Sequence, residues 1–251
     1  MRIVTRGPFI VRTDHRNLVR RARLSESMKP LTEQHLAMFR RHMVEIVDMH
    51  FDLSSDEIGT DVIDPDLRRV LMDVPRHLFV PANLAVMAYH DTPLPIGFDK
   101  TISQPFIGAL MIDLLELEPG QRVLEIGTGL GYQAAVMAEL GAQVFSVEVV
   151  EEFAEAAESR FNALGCDVKV RVGDGARGWA DHAPYDAILV TAAAPEPPRE
   201  LLDQLSPGGR MVVPLGGPEV QQLSVVQKQA DGTVDMRAVM AVKFTQLELT
   251  G

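Results

Sequence analysis

Residues 123–133, VLEIGTGLGYQ, pass from a short apolar run straight into glycines at every second position and then into a helical pattern. A strand, a glycine-spaced turn and a helix in this order restrict the chain to folds that hold a ligand over the turn. Glycine tolerates left-handed backbone and close approach, and the start of the helix offers free N–H groups. The glycines are Gly127, Gly129 and Gly131. A second apolar run, QVFSV (143–147), ends in Glu148, about 20 residues further on, where an acid can take two ribose hydroxyls.

Apolar runs and helical patterns continue to alternate beyond the loop. The spacing predicts helices at 132–140, 151–164 and 198–205, and strands at 143–148, 168–172, 185–191 and 210–215. Alternation at this interval implies an α/β fold with a doubly wound, mostly parallel sheet and right-handed crossovers, a Rossmann-like architecture. LSVVQKQADGTVDMRAVMAVKF (223–244) places an Asp231-Gly232 turn between two alternating runs, which predicts a C-terminal antiparallel hairpin.

Upstream, residues 31–50 set Leu36, Phe39, Met43, Ile46 and Val47 on one side of an amphipathic helix, with Thr32 or a neighbour as its cap. Its methionines, Met38, Met43 and Met49, read as packing atoms. DLSSDEIGTD (52–61) reads as a linking loop, and Asp64-Pro65 signals a helix start. YHDTPLPIGFDKTISQP (89–105) reads as irregular, and FIGALMIDLLELEPG (106–120) as a helix closed by Pro119-Gly120. The expected organisation is a basic arm and helical extension over 1–63 followed by one catalytic domain over 64–251.

Charge narrows the partners. The net charge of −11 argues against a nucleic-acid partner held by phosphate neutralisation. Residues 1–30 nonetheless carry seven arginines and Lys29 against Asp14 and Glu26, a basic segment that reads as a solvated arm or one docked on the acidic body. The single cysteine, Cys166, leaves no internal disulfide and fits a reducing compartment. No apolar stretch approaches the roughly 18 residues that span a bilayer, and the first thirty lack a secretory apolar region, so a cytoplasmic protein without a membrane partner is expected. Seven scattered histidines show no metal-ligand spacing, and no metal site is expected.

Glu125, placed beside the ligand, would repel a pyrophosphate; a cationic ligand with a free amino group suits it better, and S-adenosylmethionine is one. Such a donor must be held by its amino-acid end, its ribose and its adenine, at loops after successive parallel strands. The glycine loop serves the first, Glu148 the second, and Asp174-Gly175 after the third strand the last. The ordinary structural alternative for Asp174 is an Asx-type turn hinged by Gly173 and Gly175.

VPRHLFVP (74–81), DTPLPIG (91–97), TISQP (101–105), VLEIGTGLGYQAAVMAEL (123–140), VGDGARGW (172–179) and the stretch from Tyr185 to Gly216 resemble, in the same order, the motifs of the protein-L-isoaspartate (D-aspartate) O-methyltransferases. The resemblance runs from about residue 66 to 245 and implies transfer of a methyl group from S-adenosylmethionine to the free α-carboxylate of isoaspartyl residues in damaged proteins or peptides. It implies that Ser103 is the active-site serine, with Thr101 and Gln104 beside it. It also implies cofactor contacts at Gly127, Glu148, Asp174 and Gly175, to which the glycine loop and its flank add Glu125, Thr128, Gly129 and Gly131 as candidates. Spacing alone offers Ser103 a second use, as N-cap of the helix beginning near Gln104-Pro105.

The chain departs from the family at both ends. Its first sixty or so residues do not resemble the family's short entry helix, and VKFTQLELTG stands where relatives often read VRFVPLTG, so that either Thr250 or Glu248 takes the place of the family threonine. An O-methyltransferase esterifying one aspartate of a dedicated precursor peptide would keep every motif quoted, and is the alternative; a non-catalytic cofactor-binding module is the third reading. A monomer is the expected state.

Overall fold

The computed structural model describes residues 32–248; the basic segment 1–30 and Thr250 lie outside the described residues. From Ala37 onward the chain forms one compact unit, and Thr32–Leu36 belong to a separate one. Helix α1 spans Glu33–Leu53. At its start the His35 amide donates to Thr32 Oγ1 at 3.4 Å, as a capping threonine should.

Within the compact unit α1 buries Met43, Val44, Val47 and Phe51 completely, a stripe at helical spacing, while Ile46 is half-buried at its flank. Only Met43 fills the core as expected of the methionines; Met38 and Met49 are 56% and 50% exposed, because their positions face away from that stripe. Helix α2, Ser55–Ile58, interrupts the expected loop and pins it through buried Ile58. Helix α3, Pro65–Asp73, begins where expected: Asp64 accepts from the amides of Asp66 and Leu67, with proline at the first helical position.

Two 3₁₀ turns, Arg76–Phe79 and Ala82–Met87, carry the chain into the stretch expected to be irregular. It contains a small antiparallel hairpin, β1 (Leu94–Gly97) against β2 (Lys100–Ile102). Phe98 and Asp99 turn it with φ of 48° and 55°. A two-residue turn of left-handed residues suits a hairpin's twist, but without glycine or asparagine it leaves little trace in sequence. Helix α4, Pro105–Asp113, stops before the expected closure at Pro119-Gly120.

The main sheet has seven strands: β3 (Arg122–Ile126), β4 (Gln143–Glu148), β5 (Val168–Val172), β6 (Tyr185–Val190), β7 (Leu205–Gly216), β8 (Gln221–Lys228) and β9 (Val234–Val242). Their order is β5-β4-β3-β6-β7-β8-β9. The first five are mutually parallel, and β8 and β9 add antiparallel, as the terminal hairpin predicts. Helices α5 (Tyr132–Glu139), α6 (Glu151–Leu164) and α7 (Arg199–Gln204) make the crossovers. With both faces covered, the central strands β3 and β6 are apolar and buried nearly throughout. Winding reverses between them, so a crevice opens at their carboxyl ends, where ligands of such sheets bind.

Candidate functional site

Beyond β3 the backbone turns through Gly127, Gly129 and Gly131 with φ of 90°, 53° and 97°. A Cβ on Gly127 would fall 2.4 Å from Thr191 Oγ1. That hydroxyl donates to the carbonyls of Gly127 at 2.8 Å and Ile126 at 3.0 Å, so the loop is fastened to the end of β6 at the point where winding reverses. Gly131 answers a different demand. A Cβ there would stand 2.6 Å from Phe161 Cζ, so its bareness lets α5 start against α6, and it does not line the cavity.

The three acids expected at the ligand fall into three environments. Glu148, at the end of β4, lines the cavity, and its carboxylate accepts the amides of Gly129 at 2.7 Å, Val149 at 2.9 Å and Val150 at 3.0 Å. Three charge-assisted bonds fix its direction and leave lone pairs for hydroxyl donors. Asp174 uses Oδ1 on the Ala176 amide at 2.9 Å, capping the turn Gly175–Arg177, the Asx-type use, while Oδ2 lies 3.7 Å from Arg177 Nε. Gly175 lines the cavity, and a Cβ on Gly175 would meet Ile126 Cγ2 at 2.4 Å.

Glu125 corrects the expectation of an acid beside the ligand. It lies wholly buried beneath the loop and outside the cavity wall, where Ser146 donates to its Oε2 at 2.5 Å and Thr128 Oγ1 lies 2.6 Å from Ser146 Oγ. Burial pushes its carboxyl up to about 8, reinforced by the nearby Glu148 charge and opposed by the Ser146 bond. At neutral pH it is largely an uncharged acid, so it cannot act as the counter-ion the sequence suggested.

Thr101, Ser103 and Gln104 all line the cavity. Ser103 does not cap α4: the N-cap position is Gln104, and it makes no side-chain cap bond. The cap comes from outside the helix. Asp91 Oδ1 accepts the Phe106 amide at 2.9 Å, while Oδ2 accepts from Gln104 Nε2 at 2.7 Å and lies 3.0 Å from His50 Nε2 of α1. The Ser103 side chain makes no hydrogen bond to any described residue. Its carbonyl is held by Arg76, which is buried, donates to it at 2.6 Å and to Ala88 O at 2.8 Å, and lies 4.8 Å from the Tyr132 ring centroid.

These groups surround a cavity of about 550 Å³, within the range of small-molecule sites. The far wall comes from Lys243–Glu248, which follows β9; the Ala193 amide donates to Thr245 O at 2.8 Å and the Leu247 amide to Ala193 O at 2.7 Å. An adenosine ligand with a charged amino-acid tail fits the donor set. Backbone approaches closely at Gly127, Gly129 and Gly175, one fixed carboxylate points in at Glu148, and an unpartnered hydroxyl stands opposite at Ser103. Sequence reasoning gave no part to Thr191, Lys100, Arg76 or Asp91. Arg76, Asp91 and Thr191 stand in the quoted motifs VPRHLFVP and DTPLPIG and in the stretch from Tyr185 to Gly216, which was the available signal.

A family model described as protein-L-isoaspartate(D-aspartate) O-methyltransferase matches residues 53–250. Protein-L-isoaspartate O-methyltransferase 2 of Syntrophobacter fumaroxidans is 49% identical over 210 residues, 83% of this chain and 85% of that protein. Protein-L-isoaspartate O-methyltransferase 2 of Polaromonas sp. is 53% identical over 193 residues, 76% of this chain and 92% of that protein. A solved protein-L-isoaspartate O-methyltransferase superposes with a TM-score of 0.71 at 29% identity, covering 82% of this chain and 65% of that one. A Plasmodium falciparum structure described as the same enzyme in complex with S-adenosyl-L-homocysteine gives 0.69 at 22% identity, over 83% and 98%, a likeness that speaks for the fold alone.

Proposed function

The chain belongs to the protein-L-isoaspartate (D-aspartate) O-methyltransferase family, and from that premise we propose how its own residues carry the reaction. It is an S-adenosylmethionine-dependent carboxyl methyltransferase that esterifies the free α-carboxylate of isoaspartyl residues, the first step of protein repair. Helix α1 stands almost wholly before the matched span, yet from Ala37 onward it buries Met43, Val44, Val47 and Phe51 in the compact unit, so this part of the helix is read as belonging to the catalytic body.

Bound S-adenosylmethionine supplies a methyl group on a sulfonium centre that leaves as a neutral thioether. The acceptor carboxylate is already ionised at neutral pH, so no residue need remove a proton, and placement in line sets the rate. We assign the cofactor to Gly127, Thr128, Gly129, Glu148 and Gly175, with Glu148 receiving the ribose hydroxyls. Ser103 donates its hydroxyl to the acceptor carboxylate and turns one oxygen toward the methyl; Thr101 and Gln104 shape the same wall. Arg76 and Asp91 are positioning residues, one holding the Ser103 carbonyl and the other the helix start that follows.

The observation that carries this reading is the Ser103 hydroxyl, in the cavity wall and free of the helix it precedes. Among the described residues no helix is long and apolar enough to cross a membrane, and the partners proposed are isoaspartyl proteins or peptides, met by a monomer. The test is methyl transfer to an isoaspartyl peptide and to its normal aspartyl twin. Transfer to the first alone supports repair; transfer to neither, with cofactor bound, would turn attention to a dedicated acceptor.

A further inference from the structure

Among the described residues, two lysines line the cavity, Lys100 and Lys243. Lys100, the first residue of β2 and the neighbour of Thr101, is 20% exposed and forms an ion pair with Glu248, which is 55% exposed and ends the described part of the C-terminal wall. The other lysine of the lining, Lys243, donates to the carbonyl of Pro218 and is drawn away. The pair therefore joins the hairpin carrying Thr101 to the segment after β9, two segments that line the cavity holding Ser103. An ion pair this exposed is weak and exchangeable.

A lysine at this place has two anions it could meet in an acceptor. The reacting carboxylate loses its charge as the ester forms, so a cation gripping it would favour the ground state over the transition state and slow the step. Lys100 lines the same cavity as Ser103 but is engaged by Glu248, whereas the Ser103 hydroxyl has no partner among the described residues. The fitting partner of Lys100 is a second carboxylate on the same peptide, an Asp or Glu side chain beside the isoaspartyl residue. On a protein of net charge −11 such a peptide meets general repulsion, which one local cation can offset.

We propose that Lys100 is a specificity residue that receives an acidic side chain flanking the acceptor, and that Glu248 is an internal carboxylate occupying Lys100 until that side chain displaces it. The proposal rests on the reading of this cavity as the methyl-transfer site and adds to it a preference in the acceptor.

The experiment compares two isoaspartyl peptides that differ only in a flanking Glu or Gln, read as the ratio of their kcat/KM values. Lys100→Gln should bring the Glu-to-Gln ratio down, and Glu248→Gln, which removes the competitor, should raise it, each by up to about fivefold, the scale of a partly exposed ion pair. The exchange Lys100→Glu with Glu248→Lys keeps an ion pair between the two positions but puts a carboxylate at residue 100, and should bring the Glu-to-Gln ratio below that of Lys100→Gln. A structural latch alone would not move the ratio, so an equal ratio in all four proteins overturns the proposal. Wild-type protein that methylates neither peptide would sink the functional reading instead. The flank discrimination is then read from peptide binding to protein saturated with S-adenosylhomocysteine: a ratio that follows residue 100 supports the proposal, and one that does not overturns it.

Discussion

Asp91 accepts the Phe106 amide at 2.9 Å and thereby caps a helix that begins fourteen residues later in the chain at Pro105. The serine that precedes the helix is relieved of that duty. Cap and reacting-site hydroxyl, which the sequence offered to the same residue, are divided between Asp91 and Ser103.

The division makes Ser103→Ala and Asp91→Asn separable. Ser103→Ala should leave unfolding stability within about 0.5 kcal/mol of wild type, as expected of a change that removes no bond. Turnover on an isoaspartyl peptide should fall by about one to two orders of magnitude, with cofactor affinity within a few-fold. Asp91→Asn keeps an acceptor for the Phe106 amide but sets an amide NH2 against Gln104 Nε2 and His50, and should cost about 0.5–1.5 kcal/mol of stability through the lost Gln104 bond. Denaturant unfolding beside single-substrate kinetics decides: a serine variant that is destabilised but normal per folded molecule would return the cap to Ser103.

Glu148 should prove harder to replace than a simple ligand contact. Glu148→Ala removes a ribose partner, which should weaken S-adenosylhomocysteine binding by about 1–3 kcal/mol, and it also strips the acceptor from the amides of Gly129, Val149 and Val150. The loop itself should therefore loosen, with a loss of stability of similar size. Calorimetric titration of the folded variant checks the first effect and urea unfolding the second. Unchanged affinity would remove Glu148 from the site whatever the stability shows.

Glu125 supplies a pH signature. Burial holds its carboxyl at about 8 in the folded chain, against 4.5 as the ordinary value. As pH rises through that interval the unfolded chain gives up a proton that the folded chain retains, so this group makes stability fall between those two values and contributes no further change above. Glu125→Gln abolishes the term while keeping an oxygen for Ser146. Its stability relative to wild type should increase from pH 5 to pH 8 by an amount on the order of kcal/mol. Unfolding curves in urea at pH 5, 6.5 and 8 test this, and a difference between the two proteins that does not vary with pH would contradict it.

Much of the sheet was legible because its signals are local. Strand β4 carries a mostly apolar run, β5 an alternation of valine with charged residues and α6 a 3.6-residue pattern, and the structure places them at 143–148, 168–172 and 151–164, as the spacing predicts. The β1–β2 hairpin escaped because its strands are only four and three residues long and its turn, Phe98-Asp99, lacks the glycine that marks a two-residue hairpin loop. At the site, Gly127, Glu148 and Ser103 were readable from spacing and motif, whereas the use of Glu125 and Gly131 was not. Nothing near Glu125 in sequence announces Ser146, which meets it across a parallel ladder, and nothing near Gly131 announces the Phe161 ring. Relations that depend on a crossover are invisible until the sheet is assembled.

Helix α1 lies almost wholly before the matched residues and should nonetheless prove indispensable. Met43, Val44, Val47 and Phe51 are completely buried, and each such side chain contributes roughly 1.5–3 kcal/mol. Four of them approach the whole stability of a typical domain, about 5–15 kcal/mol. Removing residues 1–53 should therefore prevent cooperative folding, and cannot by itself reveal what the extension does for the acceptor. A single change reads that better. His50 reaches Asp91 at 3.0 Å and stacks on Phe106 with ring centroids 4.8 Å apart, so it touches both partners of the helix cap beside Ser103. His50→Ala should lower kcat for an isoaspartyl peptide several-fold through a less firmly held α4, while S-adenosylhomocysteine affinity stays within about twofold, because the loop that binds it is built from other elements. A truncated protein that unfolds cooperatively near the wild-type midpoint, or a His50 variant with unaltered kcat, would show that α1 is a passenger on the catalytic body.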